Sequence, residues 1–216
     1  MSAAEAVILL HGLARSARPM EKLARAARDA GFVAFSRGYP STTAAVRTLV
    51  DSHVAPQVRE ALAAGAPRVH FIGHSMGGIL IRQYLAAYEL PQVGRVVMIG
   101  TPNRGSELVD RLGRLAPFGW INGPAGNELG TGPDSLPNRL PPATYEAGII
   151  AGTRSYNPAY SAMIVGANDG KVSVERAQLD GMRDLLVLPV NHTFMMRDEV
   201  VVRQSIHFLR EGRFSR

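Results

Sequence analysis

Short apolar runs recur along the chain and alternate with segments whose apolar residues have helical spacing. Six of these runs predict β-strands. They are Val7–Leu10, Phe32–Phe35, Arg68–Ile72, Arg95–Ile99, Ala147–Ala151 and Leu185–Val190. The first run is apolar throughout, as expected for a strand that is buried on both faces of a parallel sheet.

Helical spacing between the runs predicts the helices. The first begins near Pro19, which suits the opening turn of a helix, and ends at Gly31. Because proline lacks a backbone donor, an interruption is expected at Pro56 in the next helix. The remaining helices are Thr43–Ala64, Ser75–Tyr88 and about Asp198–Arg210.

A chain in which strands alternate with crossover helices favours one architecture. It is an α/β protein with an open, mostly parallel sheet that helices flank on both faces. Ligands bind such sheets beyond the carboxyl ends of the strands. We therefore expect the loops after Leu10, Ile72 and Ile99 to meet at one site.

The alternation is interrupted between about residues 102 and 145, where proline and glycine recur. Leu108, Leu112 and Leu115 follow helical spacing there, and Trp120 is the only tryptophan of the chain. Such an excursion at the ligand-binding edge is expected to be either a lid or cap over the site, or a surface segment that only covers the core. The short apolar run Ala162–Val165 predicts either a strand or a buried loop.

Composition narrows the class of protein. The chain has 216 residues, of which 46% are hydrophobic and 19% charged, and is expected to form a single globular domain over residues 1–216. It has no cysteine, which excludes disulfides and thiolate catalysis. The N-terminus lacks the pattern of a signal peptide, and no run approaches the roughly 18 apolar residues of a transmembrane helix, so a cytoplasmic location is expected.

The basic residues bear on the choice of partner. The net charge is +6, but arginines are scattered among acids, and no nucleic-acid partner is expected. The densest basic stretch lies on the first predicted helix and consists of Arg15, Arg18, Lys22, Arg25 and Arg28. A solvated helix face is the favoured interpretation. Peripheral docking of this helix on a membrane surface is the weaker alternative.

The segment Gly73-His74-Ser75-Met76-Gly77 lies between a predicted strand and a predicted helix. This is the G-x-S-x-G pattern of the nucleophile elbow, in the strand-to-helix context that the pattern requires. The sharp turn strains the serine backbone, and the flanking glycines leave room for the turn. The sequence therefore predicts that Ser75 is a catalytic nucleophile; an incidental serine in a glycine-rich turn is the alternative.

A serine hydroxyl needs a base, and the base needs an orienting acid. His192 follows the last predicted strand, so we expect it to face Ser75. Asp169 lies between the two in the chain and completes the order Ser, Asp, His. The alternatives for the acid are Asp180 and Asp184, with Asp169 then only a turn residue.

Backbone amides are the expected donors to an oxyanion. Leu13 follows the first strand and Met76 follows the nucleophile, and these are the two positions at which this architecture places such donors. His11, in the same loop as Leu13, is expected to be structural or to line the substrate pocket rather than to carry a proton. His53, His70 and His207 lie within predicted helices or a strand and are expected to be ordinary packed or surface histidines.

The motifs together resemble those of small bacterial lipases and esterases with the α/β-hydrolase fold, including predicted hydrolases akin to GPI inositol-deacylases. The resemblance implies the same roles for Ser75, Asp169 and His192. Histidine is frequent in these lipases at the position of Asn103. The matching segments are Leu9–Leu13, Gly73–Gly78, Gly100–Ser106, Asp169–Val174 and Asn191–Thr193.

These residues predict hydrolysis of a carboxylic ester through an acyl-enzyme intermediate, a reaction that needs no metal or organic cofactor. The expected partner is a small-molecule or lipid-like ester. Candidates for its pocket are His11, Tyr39, Leu108 and Trp120, with core packing as the alternative for each. Because fold and triad do not determine the acyl group or its acceptor, a thioesterase, an amidase, an acyltransferase and a non-catalytic binding protein are the alternatives.

Overall fold

Six strands form one sheet in the computed structural model, which describes residues 3–112 and 123–216. All neighbouring strands run parallel, in the order β2-β1-β3-β4-β5-β6. Each of the six predicted strands is confirmed, with ends displaced by at most two residues. The strands are β1 (Ala6–Leu10), β2 (Val33–Phe35), β3 (Val69–His74), β4 (Val93–Ile99), β5 (Ala147–Gly152) and β6 (Asp184–Leu188).

The described residues form nine α-helices, two 3₁₀ turns and a further helical stretch at 123–127. The 3₁₀ turns are Arg18–Met20 and Met195–Arg197. The helices are α1 (Glu21–Asp29), α2 (Val46–Leu49), α3 (Ala55–Ala63), α4 (Met76–Ala87), α5 (Glu107–Leu112), α6 (Leu136–Arg139), α7 (Pro158–Ala162), α8 (Val174–Ala177) and α9 (Glu199–Glu211).

The long helix predicted over Thr43–Ala64 is present but begins at Val46 and changes its winding in the middle. Residues Val50–Val54 form a π-helical turn that joins α2 to α3. Pro56 lies in the first turn of α3. A proline cannot donate to the preceding turn, and its ring needs space there, which the wider π turn provides. The expected interruption is therefore confirmed, one turn before the proline.

The alternation of side chains along the strands divides the core into two layers. Ala6, Ile8 and Leu10 of β1 pack on one face with α2, α3 and α4. Val7 and Leu9 point to the opposite face, where α1 and α9 cover the sheet. Because both faces of β1 are fully buried, its sequence is apolar throughout. The expected parallel sheet between two helical layers is thus confirmed.

The described parts of the 102–145 excursion pack against the body. Leu108, Ala125 and Leu129 are buried in the larger core cluster or beside it. The Ser106 amide donates to the Leu129 carbonyl at 3.0 Å, and Glu128 accepts from the first amide of α2 at 3.0 Å. Leu115 and Trp120 fall outside the described residues. That the excursion moves as a lid stays a prediction.

The apolar run Ala162–Val165 forms no strand. It contains the last residue of α7 and the turn that follows, with Ile164 buried and Val165 70% exposed. Its apolar residues do not alternate across a sheet, and the prediction of a strand here was wrong. Within residues 3–112 and 123–216, no helix combines the length and the apolar character needed to cross a bilayer.

Candidate active site

Ser75 is the single residue between β3, which ends at His74, and α4, which begins at Met76. Its backbone has φ 53° and ψ −125°, a conformation that side-chain-bearing residues rarely adopt. Two hydrogen bonds hold it there. The Ser75 amide donates to the Ile99 carbonyl at 2.9 Å, and the Ser75 carbonyl accepts from the Gly78 amide at 3.0 Å. The neighbouring strand and the helix therefore impose the strained turn.

The glycines around Ser75 are required by close backbone approach. A Cβ atom at Gly73 would lie 2.6 Å from the Gly78 nitrogen, and one at Gly77 would lie 2.3 Å from the Leu10 carbonyl oxygen. These distances are shorter than any normal contact and involve backbone atoms that cannot move aside easily. The G-x-S-x-G pattern is thus a packing requirement of this turn.

Three side chains from three different loops form a continuous hydrogen-bonded series. His192 Nε2 lies 3.0 Å from Ser75 Oγ, and His192 Nδ1 lies 2.8 Å from Asp169 Oδ2. The side chains of His192 and Asp169 are only 5% and 1% exposed. The second oxygen of Asp169, Oδ1, accepts from the amides of Lys171 at 2.9 Å and Val172 at 2.8 Å. The carboxylate is therefore held with one oxygen facing the imidazole.

Backbone hydrogen bonds join the loops that carry the acid and the histidine. The His192 amide donates to the Asp169 carbonyl at 3.1 Å, and the Asp169 amide donates to the Val172 carbonyl at 3.1 Å. Ser106 Oγ, from the loop after β4, donates to the Lys171 carbonyl at 2.9 Å. These loops can meet because parallel strands bring their carboxyl ends to one edge of the sheet.

His74 is adjacent to the serine but faces the backbone of the histidine loop. Its Nε2 donates to the His192 carbonyl at 3.0 Å, and the ring is almost fully buried. Burial, and then the neighbouring His192, lower the pKa of His74 well below its ordinary value. A neutral His74 with its hydrogen on Nε2 supports the position of the loop that carries His192.

The two predicted oxyanion donors lie on either side of the serine. Met76 is the first residue of α4, and Leu13 belongs to the loop after β1. That loop passes close to the nucleophile position, since a Cβ on Gly12 would lie 3.0 Å from Ser75 Cβ. Within the described part of the chain, neither the Leu13 nor the Met76 amide donates a hydrogen bond to a protein acceptor. Leu13 also lines the cavity beside Ser75, whereas Met76 is fully buried.

His11 and Tyr39 pack against each other and not against the cavity. Their rings stack at 3.9 Å, the Tyr39 amide donates to His11 Nε2 at 3.2 Å, and the Tyr39 hydroxyl donates to the His11 carbonyl. Burial lowers the pKa of His11 and raises that of Tyr39. Neither residue lines the cavity beside Ser75, so packing, the alternative for both, is what the structure shows. Both residues were pocket candidates because they follow strands in the chain. Their contacts instead support the loop that carries Leu13.

A cavity of about 300 Å³ opens beside Ser75 and His192. Leu108 lines it as expected, whereas Trp120 lies outside the described residues. Further apolar residues of its wall were not predicted to lie at the site, among them Val109, Leu129, Tyr160 and Val172. Val172 could have been predicted to lie at the site, because it follows Asp169 in the same loop. Tyr160 and Leu129 could not have been predicted, because only the folded chain brings their segments to this edge of the sheet.

Comparison with known proteins agrees with this architecture. The chain belongs to the alpha/beta hydrolase family, whose sequence model matches residues 7–204. A triacylglycerol lipase of Pseudarthrobacter phenanthrenivorans is 52% identical over 54 residues, which span 24% of this chain and 17% of that lipase. A triacylglycerol lipase of Burkholderia plantarii is likewise 52% identical over 54 residues, or 15% of its length. The matched segment is therefore a small part of either relative.

Solved structures resemble the whole chain. The mature form of the Bacillus licheniformis lipase BlEst2 superimposes with a TM-score of 0.78 at 24% identity, covering 97% of this chain and 93% of that one. A monoacylglycerol lipase of Paleococcus ferrophilus gives a TM-score of 0.60 at 16% identity, with 97% and 96% covered. At these identities the likeness shows the fold, which is the α/β-hydrolase fold expected from the sequence.

Proposed function

We propose that this chain is a serine hydrolase that cleaves carboxylic esters, with Ser75 as nucleophile, His192 as base and Asp169 as the orienting acid. The observation that carries the proposal is the series of hydrogen bonds from Ser75 through His192 to Asp169, beside an apolar cavity. Similarity to proteins named lipases supports an ester as the bond that is cleaved.

The geometry supports a stepwise acyl transfer. His192 Nε2 takes the proton of Ser75 as Oγ attacks the ester carbonyl, and Asp169 stabilises the imidazolium that forms. The amides of Leu13 and Met76 donate hydrogen bonds to the carbonyl oxygen as it gains negative charge, helped by the N-terminal dipole of α4. His192 then protonates the departing alkoxide, which leaves an acyl group on Ser75. Water, deprotonated by His192, releases the acid and restores the serine.

The cavity favours a substrate with an apolar part of limited size. Its volume of about 300 Å³ is at the small end of ligand pockets, and Leu108, Val109 and Leu129 supply apolar wall. Burial of an acyl chain against them contributes about 0.8 kcal/mol per methylene group. Activity is therefore expected to rise with chain length until the cavity is filled, and to fall for longer chains.

The test is hydrolysis of p-nitrophenyl esters of increasing chain length by the wild type, by Ser75→Ala and by the matched control Ser16→Ala. Ser16 is exposed and makes no side-chain hydrogen bond within the described part of the chain. We expect Ser75→Ala to lower kcat/KM by about 10⁴-fold or more, with Ser16→Ala unchanged. A burst of p-nitrophenol equal to the enzyme concentration would support the acyl-enzyme. Equal rates for wild type and Ser75→Ala would refute the proposal. Activity on thioesters or amides but not on esters would show that the enzyme cleaves that other class of bond.

A further inference from the structure

Two basic side chains lie on the wall of the cavity that contains Ser75. Arg15 follows Leu13 by two residues in the loop after β1, and Lys171 follows Asp169 by two residues in the acid loop. The two loops approach the cavity from different segments of the chain. A hydrogen bond holds each loop close to its basic residue. The Ala14 amide, next to Arg15, donates to Ser41 Oγ at 2.9 Å, and the Lys171 amide donates to Asp169 Oδ1 at 2.9 Å.

Neither cation forms a salt bridge within the described part of the chain. Throughout residues 3–112 and 123–216, no carboxylate lies within salt-bridge distance of Arg15 or Lys171. The described cavity wall includes no aspartate or glutamate. The sequence of residues 113–122, outside the described part, also contains no acidic residue. Two arginines of neighbouring loops are paired with acids, Arg176 with Glu107 and Arg104 with Asp180.

The two charges act on each other and on the site. Desolvation at the cavity wall, and then the neighbouring Arg15, lower the pKa of Lys171, whereas the charge of Asp169 raises it to a smaller extent. The Lys171 side chain also reaches solvent. Both cations also help to lower the pKa of the buried His74, after the larger effects of burial and His192. A cleft with two cations that form no salt bridge among the described residues attracts a ligand of the opposite sign.

We propose that the site takes esters that carry a negatively charged group, a carboxylate or a phosphate, in addition to the scissile ester, and that Arg15 and Lys171 bind this group. The proposal deepens the proposed ester hydrolysis and rests on it. Arg15 presents a planar fork of donors that suits such an anion, and Lys171 adds a point charge on the opposite loop. The apolar wall of Leu108 and Leu129 holds the uncharged part of the same substrate.

The experiment compares substrates that differ in charge alone. In the first arm, the charge is on the acyl side, and mono-p-nitrophenyl suberate is compared with p-nitrophenyl octanoate. In the second arm, it is on the alcohol side, and octanoyl lysophosphatidate is compared with monooctanoylglycerol. The quantity measured is the ratio of kcat/KM for the anionic ester to that for the neutral ester. We expect this ratio to exceed one in at least one arm, which identifies the side that carries the charge, and to fall as salt is added.

Variants assign the preference to the two cations. Arg15→Gln and Lys171→Met are each expected to lower the ratio about fivefold, as for the loss of one partly exposed ion pair, and about 25-fold together. Arg18→Gln removes a neighbouring exposed charge that is not on the cavity wall and is expected to leave the ratio unchanged. A ratio of one or less in both arms, or a ratio that the cavity variants do not change, would overturn the proposal.

A binding measurement separates this proposal from that of ester hydrolysis. In the Ser75→Ala background, octyl phosphate is expected to raise Tm more than octanol does, and Arg15→Gln with Lys171→Met is expected to abolish the difference. Ser75-dependent hydrolysis without a charge preference would leave the proposed function and remove the anionic substrate. Charge-dependent binding without hydrolysis of any ester would keep the anion site and remove the proposed reaction.

Discussion

Replacement of Asp169 by asparagine tests the orientation of the catalytic histidine. In the structure, Oδ2 of Asp169 faces His192 Nδ1 at 2.8 Å, while Oδ1 accepts from two backbone amides at 2.9 and 2.8 Å. Asparagine has only one acceptor oxygen. Both hydrogen bonds from the backbone amides are kept only if that oxygen occupies the Oδ1 position. The NH₂ group then faces the imidazole. The opposite rotamer would leave the amides of Lys171 and Val172 without this acceptor, so it is disfavoured.

The expected cost follows from the tautomer of His192. With an NH₂ group opposite, Nδ1 must accept and the ring hydrogen moves to Nε2, the atom that has to receive the proton of Ser75. We expect Asp169→Asn to lower kcat/KM about 10⁴-fold, which corresponds to about 5 kcal/mol of lost transition-state stabilisation. The overall stability should change little, because the backbone amides keep their acceptor.

The assay is the initial rate on a short p-nitrophenyl ester, with the ¹⁵N chemical shifts of His192 as an independent measure of the tautomer. Asp180→Asn is the matched control, since Asp180 is an exposed partner of Arg104 at 2.7 Å and was the alternative acid. Its rate should stay within about twofold of the wild type, as for a surface change. An Asp169→Asn rate within tenfold of the wild type, or an equal loss in Asp180→Asn, would refute the assignment of the acid.

Two further predictions concern stability. Gly77→Ala places a Cβ atom 2.3 Å from the Leu10 carbonyl oxygen. We expect the free energy of unfolding, measured in urea, to fall by about 2–3 kcal/mol. Gly132→Ala, where a Cβ meets nothing within 4 Å, is the control. Equal midpoints for the two variants would contradict the close packing of the elbow. The native pKa of His74 lies well below its ordinary value of 6.5, so below that pH the unfolded chain binds a proton that the native state does not. Stability should therefore fall by about 1.4 kcal/mol for each pH unit below 6.5, and His74→Asn should reduce this slope. Parallel pH profiles for wild type and variant would show that His74 is protonated in the native state.

Local pattern determined the strands and the nucleophile turn. The strand β1 was predictable because both of its faces are buried, which makes every residue apolar. The turn at Ser75 was predictable because its backbone can only close when its close neighbours are glycines. The ends of β4 and β6 were less accurate, since the first residues of β4 and most of β6 are only partly buried and their sequences have weaker contrast.

Long-range contact decided the rest of the candidate site. Chain order and position after a strand pointed to Asp169 and His192, but only the folded chain brings Ser75 and His192, 117 positions apart, to a 3.0 Å contact. Position after a strand also made His11 and Tyr39 candidates for the pocket, but their rings stack on each other.

The charges of the cavity show most clearly what the sequence could not determine. Arg15 was interpreted as one residue of a solvated helix, and Lys171 as part of the acid loop, because nothing in their separate segments connects them. Their common cavity arises from the parallel sheet, which brings loops from distant parts of the chain to a single edge. Local sequence determines which segments become strands and turns, whereas the composition of a site between loops depends on distances that exist only after the sheet has formed.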